Sequence, residues 1–193
     1  MYVKYTKYTC VKDAAKHFAD FHLSKRAQSD WDVAWSDTPV NIQFLKEMKP
    51  WQRCNHFPGM YNLARKNMLG RHLMRMQRLL PNEYNFFPTS YMLPHDYKDF
   101  FEDSNNSKNP RTYIVKPEDG SQGKGIFLTR NPDVIKPSDQ LVVQKYIHKP
   151  HLIDGFKYDL RVYVFVVGVN PLRIYMYSNG LARFATVQCE KPG

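Results

Sequence analysis

Three glycines fall within six residues in Gly120-Ser-Gln-Gly123-Lys-Gly125, and Lys116 stands at the end of the apolar run before them. Glycines let backbone amides come close to an anion, and a lysine at that place can meet a phosphate. A Walker loop or a dinucleotide fingerprint must run from a strand into a helix. Here Ile126-Phe-Leu128 continues as a strand, so the spacing predicts a strand–loop–strand flap able to fold over nucleotide phosphates. A flexible hairpin tip has the same composition. The second cluster is Lys157-Tyr-Asp159-Leu-Arg161-Val-Tyr163. Residues two apart on a strand share a face, which puts Lys157, Asp159 and Arg161 on one side and Tyr158, Leu160, Val162 and Val164 on the other. The apolar side is expected to bury against a core while the charged side faces a cleft; the alternative is an exposed ladder of weak charge pairs. The sequence contains no GxSxG, HExxH or paired-cysteine pattern. His148 and His151 straddle Pro150 with no acid close by and read as loop histidines.

The elements that must position these residues follow from periodicity. Val11–Phe21 has helical spacing, Trp31–Trp35 reads as a short strand, and 51–60 (WQRCNHFPGM) reads as a loop. A helix is predicted over 63–80, with Leu69, Leu73, Met76 and Leu80 as a buried stripe and Pro81 ending it. Arg65, Lys66, Arg71, Arg75 and Arg78 lie along it with no acid in those 18 residues. That stripe is either a solvated face or a surface for an anionic ligand. Residues 84–110 are aromatic and proline-bearing and close in a polar run, 102–110, expected to be a mobile loop. Strands are then predicted at 112–116, 125–128, 141–144, 158–167, 172–177 and 182–187, with turns at Asn131-Pro132, Asn170-Pro171 and Asn179-Gly180. The spacers are too short for helical crossovers, so this half is read as largely antiparallel.

The 193 residues suffice for one ordinary domain or two small ones, and 42% hydrophobic with 24% charged is a globular composition. No apolar stretch approaches the roughly 18 residues of a membrane span, and the start, MYVKYTKYTC, has no secretory h-region. The three cysteines are far apart and predict neither a disulfide framework nor a zinc knuckle. A cytosolic, soluble chain is expected. Residues 1–84 carry 14 basic and 7 acidic side chains, against 14 and 11 in 85–193. A basic half attracts polyanions. The aromatics are scattered through core-like positions, which does not favour base stacking on nucleic acid.

Along nearly the whole chain from Trp31 the sequence resembles the tubulin tyrosine ligase-like family, through WSDTPV (35–40), MKPWQRCNHFPGM (48–60), LARKNMLGRHLMRM (63–76), FFPTSYMLP (86–94), YIVKPEDGSQGKGI (113–126), VVQKYIHKPHLIDGFKYDLRVYV (142–164) and LRIYMYSNGLARFAT (172–186). NHFPGM, GSQGKGIF, LIDGFKYDLR and GLARFAT are together most like the polyglutamylases. The resemblance implies an α+β, ATP-grasp-like fold with a largely antiparallel sheet and a glycine-rich flap. It divides the chain into a basic N-terminal part (1–84), a central part bearing the flap (85–147) and the start of a C-terminal part (148–193).

It further implies an ATP-dependent ligase that adds glutamate to tubulin tails through an acyl-phosphate. The alternatives are glycine or tyrosine ligation, or a non-catalytic microtubule-binding form. Lys66 and Lys116 would face phosphate, and Gln122 and Gly123 would cover ATP and border the acceptor. Gln144, Lys145, Tyr146 and Ile147 would grip adenine, and Lys157 and Asp159 would reach the nucleotide. Arg161 and Arg183 would hold the incoming carboxylate and the transferring phosphoryl. The family's Mg²⁺ ligands would match positions beyond Gly193, so no metal ligand is assigned and the chain as given is expected to be a truncated form, inactive alone. The partners implied are acidic tubulin tails and free glutamate, without nucleic acid or membrane, and a monomer in the cytoplasm and cytoskeleton, including the cilium or basal body.

Overall fold

The computed structural model describes residues 1–17, 21–26, 30–106, 111–120 and 123–189. Phe18 of the first expected helix, the end of the polar run 102–110, and Gln122 of the flap lie outside the described residues. The chain divides into two compact units, Met1–Asn85 and Phe86–Gly193.

The first unit is built on a three-stranded parallel sheet of β1 (Tyr2–Tyr5), β2 (Val33–Ser36) and β3 (Arg53–Cys54), in the order β1-β2-β3. Helix α1 (Thr9–Lys16) follows β1 and buries Ala15. Helix α2 (Ile42–Lys46) is capped by Asn41, whose side chain accepts from Phe44 N. Trp31 stacks between Tyr2 and Phe44, with ring centroids 6.3 and 5.6 Å away. Segment 51–60 is not wholly a loop: Arg53 N donates to Asp32 O at 2.8 Å and begins β3. Behind it Asn55 brackets Ser36, accepting from its N–H and donating to its carbonyl, both at 2.9 Å.

The predicted helix over 63–80 is two helices, α3 (Tyr61–Ala64) and α4 (Lys66–Leu79). Arg65 between them is extended (φ −88°, ψ 127°), and its guanidinium lies over the Tyr61 ring. Leu80 closes α4 in a non-helical conformation, as the residue before a proline must. Arg71, Arg75 and Arg78 are exposed, as the cationic stripe predicts. The apolar stripe is not fully buried: Leu69, Leu73 and Met76 are half-buried and Leu80 is exposed. One parallel stripe of leucines needs a layer over it to vanish from solvent, and the unit's own residues cover it only in part.

The second unit holds the four-stranded antiparallel sheet β4-β7-β5-β6, from β4 (Ser90–Met92), β5 (Tyr113–Pro117), β6 (Phe127–Thr129) and β7 (Leu141–Lys145). One face of that sheet packs on a helix absent from the sequence reading, α5 (Tyr97–Asn105). Phe100 of α5 is wholly buried among Tyr91, Tyr113, Val115 and Val143. Residues 102–105 therefore belong to a helix rather than a loop.

Two-residue β8 (Leu152–Ile153) pairs with β9 (Phe156–Val169), which pairs along its length with β10 (Leu172–Phe184). The two strands expected at 172–177 and 182–187 are this single β10. Asn179-Gly180 is no turn but part of an irregularity between Met176 and Gly180, where β10 carries extra residues against β9. The apolar face of β9 is not buried. Leu160, Val162 and Val164 are more than half exposed, and every residue of β10 is exposed. Alternation assigns faces, but burial takes a second layer, and the described residues supply none over this hairpin.

Candidate functional site

In the second unit, antiparallel register sets the site. Ser90 and Ile114 both stand opposite Gln144, so the three share one face, and Lys116 lies diagonally across from Gln144 on the same side. Lys116 Nζ donates to Gln144 Oε1 at 2.9 Å, and Gln144 Nε2 donates to Ser90 Oγ at 2.7 Å. Lys145, next along β7, turns to the opposite face and meets Asp103 of α5 at 3.0 Å. Its side chain is thus engaged away from Lys116. Tyr146 N donates to Thr112 O at 2.9 Å, and Ile147 beyond it is exposed.

The flap forms as strand–loop–strand, with Val115 opposite Phe127 and Tyr113 opposite Thr129. Gly125 has φ +70°, and a Cβ there would lie 2.8 Å from Pro117 Cγ, so only glycine lets the return limb rest on Pro117. Gly123 has φ +79° and no described heavy atom within 4 Å of where a Cβ would stand, which puts it at the open tip.

A second ammonium is anchored two residues past Gln144. Lys157 Nζ donates to Tyr146 Oη at 2.6 Å and lies over its ring, 5.3 Å from the centroid. That hydrogen bond holds the Lys157 pKa above the ordinary lysine value. Further along β9, Asp159 stands opposite Arg183 in register. Arg183 Nε donates to Asp159 Oδ1 at 2.8 Å and a second guanidinium nitrogen donates to Oδ2, a bidentate pair. Arg183's hydrogen bonds, aided by the charge of Arg161, hold the Asp159 carboxyl below the usual range. Arg161 Nε lies 3.9 Å from the same carboxylate. Lys157, Asp159 and Arg183 line an open concavity of about 490 Å³ with Tyr158 and Phe184. The second unit thus brings together Lys116 with Gln144, Lys157 with Tyr146, and Asp159 with Arg161 and Arg183. Lys66, the first residue of α4, belongs to the other unit.

Two participants escaped the sequence reading. Ser90 stood inside FFPTSYMLP without a role, because its partner is 54 residues away. Asp103 lies in a polar run whose composition predicts a loop, although Tyr97, Phe100 and Phe101 have the spacing of a helix face that places it. Asp103 accepts from Arg111 at 2.7 Å, from Lys145, and from the Tyr113 hydroxyl at 3.0 Å. Burial works to raise its pKa, and the hydrogen bonds from Lys145, Tyr91 and Tyr113 outweigh it, holding the carboxyl low.

A family model described as the tubulin-tyrosine ligase family matches residues 44–191. The chain belongs to this family. It is 49% identical over 185 residues to a "Probable beta-tubulin polyglutamylase" of Tetrahymena thermophila, covering 94% of this chain and 15% of that protein. It is 46% identical over 186 residues to tubulin polyglutamylase TTLL13 of Homo sapiens, covering 96% of this chain and 22% of that one. The chain therefore spans about a fifth or less of the length of these relatives. Among solved structures it resembles the C-terminal domain of Pby1 from K. lactis, described as an ATP-grasp enzyme, with a TM-score of 0.66 at 18% identity over 99% of this chain and 60% of that one. That likeness carries the fold alone, which is α+β and ATP-grasp-like. For a tubulin-tyrosine ligase family chain, the basic first unit and the cation row of the second are the features with chemistry to offer. Among the described residues no group of three metal-ligating side chains exists, and Asp159 is committed to Arg183. These residues do not fit a Mg²⁺ site. No helix among the described residues is long and apolar enough to cross a membrane.

Proposed function

We propose that this chain carries part of the nucleotide- and amino-acid-binding machinery of an ATP-dependent ligase that adds glutamate to the acidic tails of tubulin. The observation that carries the reading is the cation row in one unit: Lys116 on Gln144, Lys157 on Tyr146, and Arg161 with Arg183 around Asp159. In the reaction, a side-chain carboxylate of the tail attacks the terminal phosphorus of ATP, forming an acyl-phosphate and releasing ADP. The amine of free glutamate then attacks the acyl carbon, an amide bond forms, and phosphate leaves with the bonding electrons of the C–O bond. Such chemistry needs charge neutralisation and positioning rather than an enzyme nucleophile.

Lys116 and Lys157 neutralise phosphate oxygens, and the flap tip at Gly123, with Gln122, covers the nucleotide. The Gln144–Ile147 segment holds adenine, with the Lys145 and Tyr146 amides bonded to the Thr89 and Thr112 carbonyls and the Lys145 side chain on Asp103. Arg161 and Arg183 present planar forks to the glutamate carboxylate and the moving phosphoryl. Lys66 and the exposed arginines of α4 in the basic first unit attract the acidic tail. The cytoskeleton and cilium, where such tails occur, are the proposed location, and the chain acts as a monomer. The test is ATP-dependent transfer of labelled glutamate to an acidic-tail peptide by a form extended to its relatives' length. Lys116→Ala is expected to abolish transfer while leaving the circular dichroism spectrum intact. Undiminished turnover would sink the assignment.

A further inference from the structure

We infer that Ser90 is a positioning residue: its hydroxyl fixes which way the Gln144 amide faces, and through it the place of the Lys116 ammonium. The hydrogen bonds run in one direction across three strands. Lys116 Nζ donates to Gln144 Oε1 (2.9 Å), Gln144 Nε2 donates to Ser90 Oγ (2.7 Å), and the Ser90 hydroxyl donates to the Pro88 carbonyl (2.8 Å). Both ends of the chain have a fixed sense. An ammonium can only donate, and a peptide carbonyl can only accept. The Ser90 proton is committed to Pro88, so Ser90 Oγ can meet Gln144 only as an acceptor. The amide nitrogen must therefore turn toward Ser90, leaving the amide oxygen toward Lys116.

Without the hydroxyl nothing on the β4 side distinguishes the two amide orientations, and one of them aims an NH₂ group at a cation. Ser90 is 4% exposed and stands directly opposite Gln144 in register, so water is poorly placed to substitute for it. The neighbouring lysine supplies an internal contrast. Lys145 is held on the other face of the same strand by Asp103, with no link to Ser90.

The relay is tested on the 193-residue chain by limited acetylation with acetic anhydride, read lysine by lysine by mass spectrometry. In Ser90→Ala the Lys116 rate rises about tenfold, the size of losing one charge-assisted hydrogen bond. In Ser90→Thr, which keeps the hydroxyl, it stays within about twofold of wild type. Lys145 is unchanged in both. Gln144→Met breaks the relay at its middle and gives the same rise, which keeps the test available if Ser90→Ala does not fold. An unmoved Lys116 rate in both variants would overturn the inference. So would Lys116 and Lys145 rising together, because a loosened sheet exposes both.

The functional consequence rests on the nucleotide reading above and has its own arm. In the form extended to its relatives' length, ATP is expected to protect Lys116 from acetylation in wild type and Ser90→Thr, and to protect it at least fivefold less in Ser90→Ala at equal ATP. Equal protection in Ser90→Ala would overturn the positioning role toward nucleotide. If wild-type Lys116 gains no protection from ATP while the first arm holds, the relay stands and the nucleotide reading falls.

Discussion

At the scale of single residues, the second unit hangs on two carboxylates with opposite assignments. Asp103 gathers Arg111, Lys145 and two tyrosine hydroxyls, and it joins α5 to the sheet. Its carboxyl titrates below the ordinary value. The stability it contributes is therefore present above the usual carboxylate range and lost as pH falls through the folded value. Tyr113 runs the other way: burial, then its bond to Asp103, pushes the phenol up to about 12. Its contribution is complete below the ordinary tyrosine value and is lost as pH rises through the folded one. Asp103→Asn should lower stability at neutral pH by about 2 kcal/mol and flatten the acid limb as pH falls below the ordinary carboxylate range. Urea midpoints measured across that range decide it; a wild-type slope in the variant would remove Asp103 from the account. The Asp159–Arg183 pair is exposed and adds little to stability. Its interest is competition, since a ligand carboxylate must share Arg183 with Asp159. Arg183→Ala in the extended form should raise the KM for glutamate at least tenfold while changing ATP affinity by less than about threefold. Equal losses of both would reject that division of labour.

At the scale of elements, a close backbone approach sets the register of the β9–β10 hairpin. A Cβ on Gly180 would fall well inside contact distance of the Arg161 carbonyl oxygen. Gly180→Ala must push the strands apart beside Arg161 and shift Arg183 from its place opposite Asp159. The expected result is a loss of the cross-strand amide contacts between 160–162 and 180–182 in NMR spectra, with β5 and β7 unaffected. Retention of those contacts would show that the irregularity tolerates a side chain. The same locality explains what could be read from the chain alone. The flap strands, the antiparallel second half and the alternation of Lys157, Asp159 and Arg161 follow from spacing within a dozen residues. What escaped depends on distant partners. β1 and β3 are short strands that both pair with β2 across a long stretch of sequence, and α5 hides its helical spacing in a stretch that also carries prolines and polar residues. Arg65, which divides the basic helix, is extended where local composition predicts continuation. Alternation along β9 predicts its faces and says nothing about whether a second layer exists.

At the scale of the whole molecule, charge and apolar exposure are distributed unequally. The first unit carries most of the net charge, and the arginines of α4 are exposed. Replacing Arg71, Arg75 and Arg78 together by Gln should weaken binding of a glutamate-rich peptide about three- to tenfold at low salt. The difference should shrink toward none near 0.5 M salt, because surface charges are screened there. Fluorescence anisotropy at several ionic strengths measures it, and a salt-independent loss would point to damage rather than electrostatics. The second unit concentrates its buried apolar side chains in the sheet against α5, while the hairpin bearing Asp159, Arg161 and Arg183 has almost none. Local opening free energy follows buried contact, so amides of β9 and β10 are expected to exchange with deuterium through smaller openings than those of β5 and β7. The arginines then sit on a less protected element than Lys116. A ligand gripping both must take up the disorder of the first against the rigidity of the second, and slowed exchange along the hairpin then becomes a thermometer for its arrival.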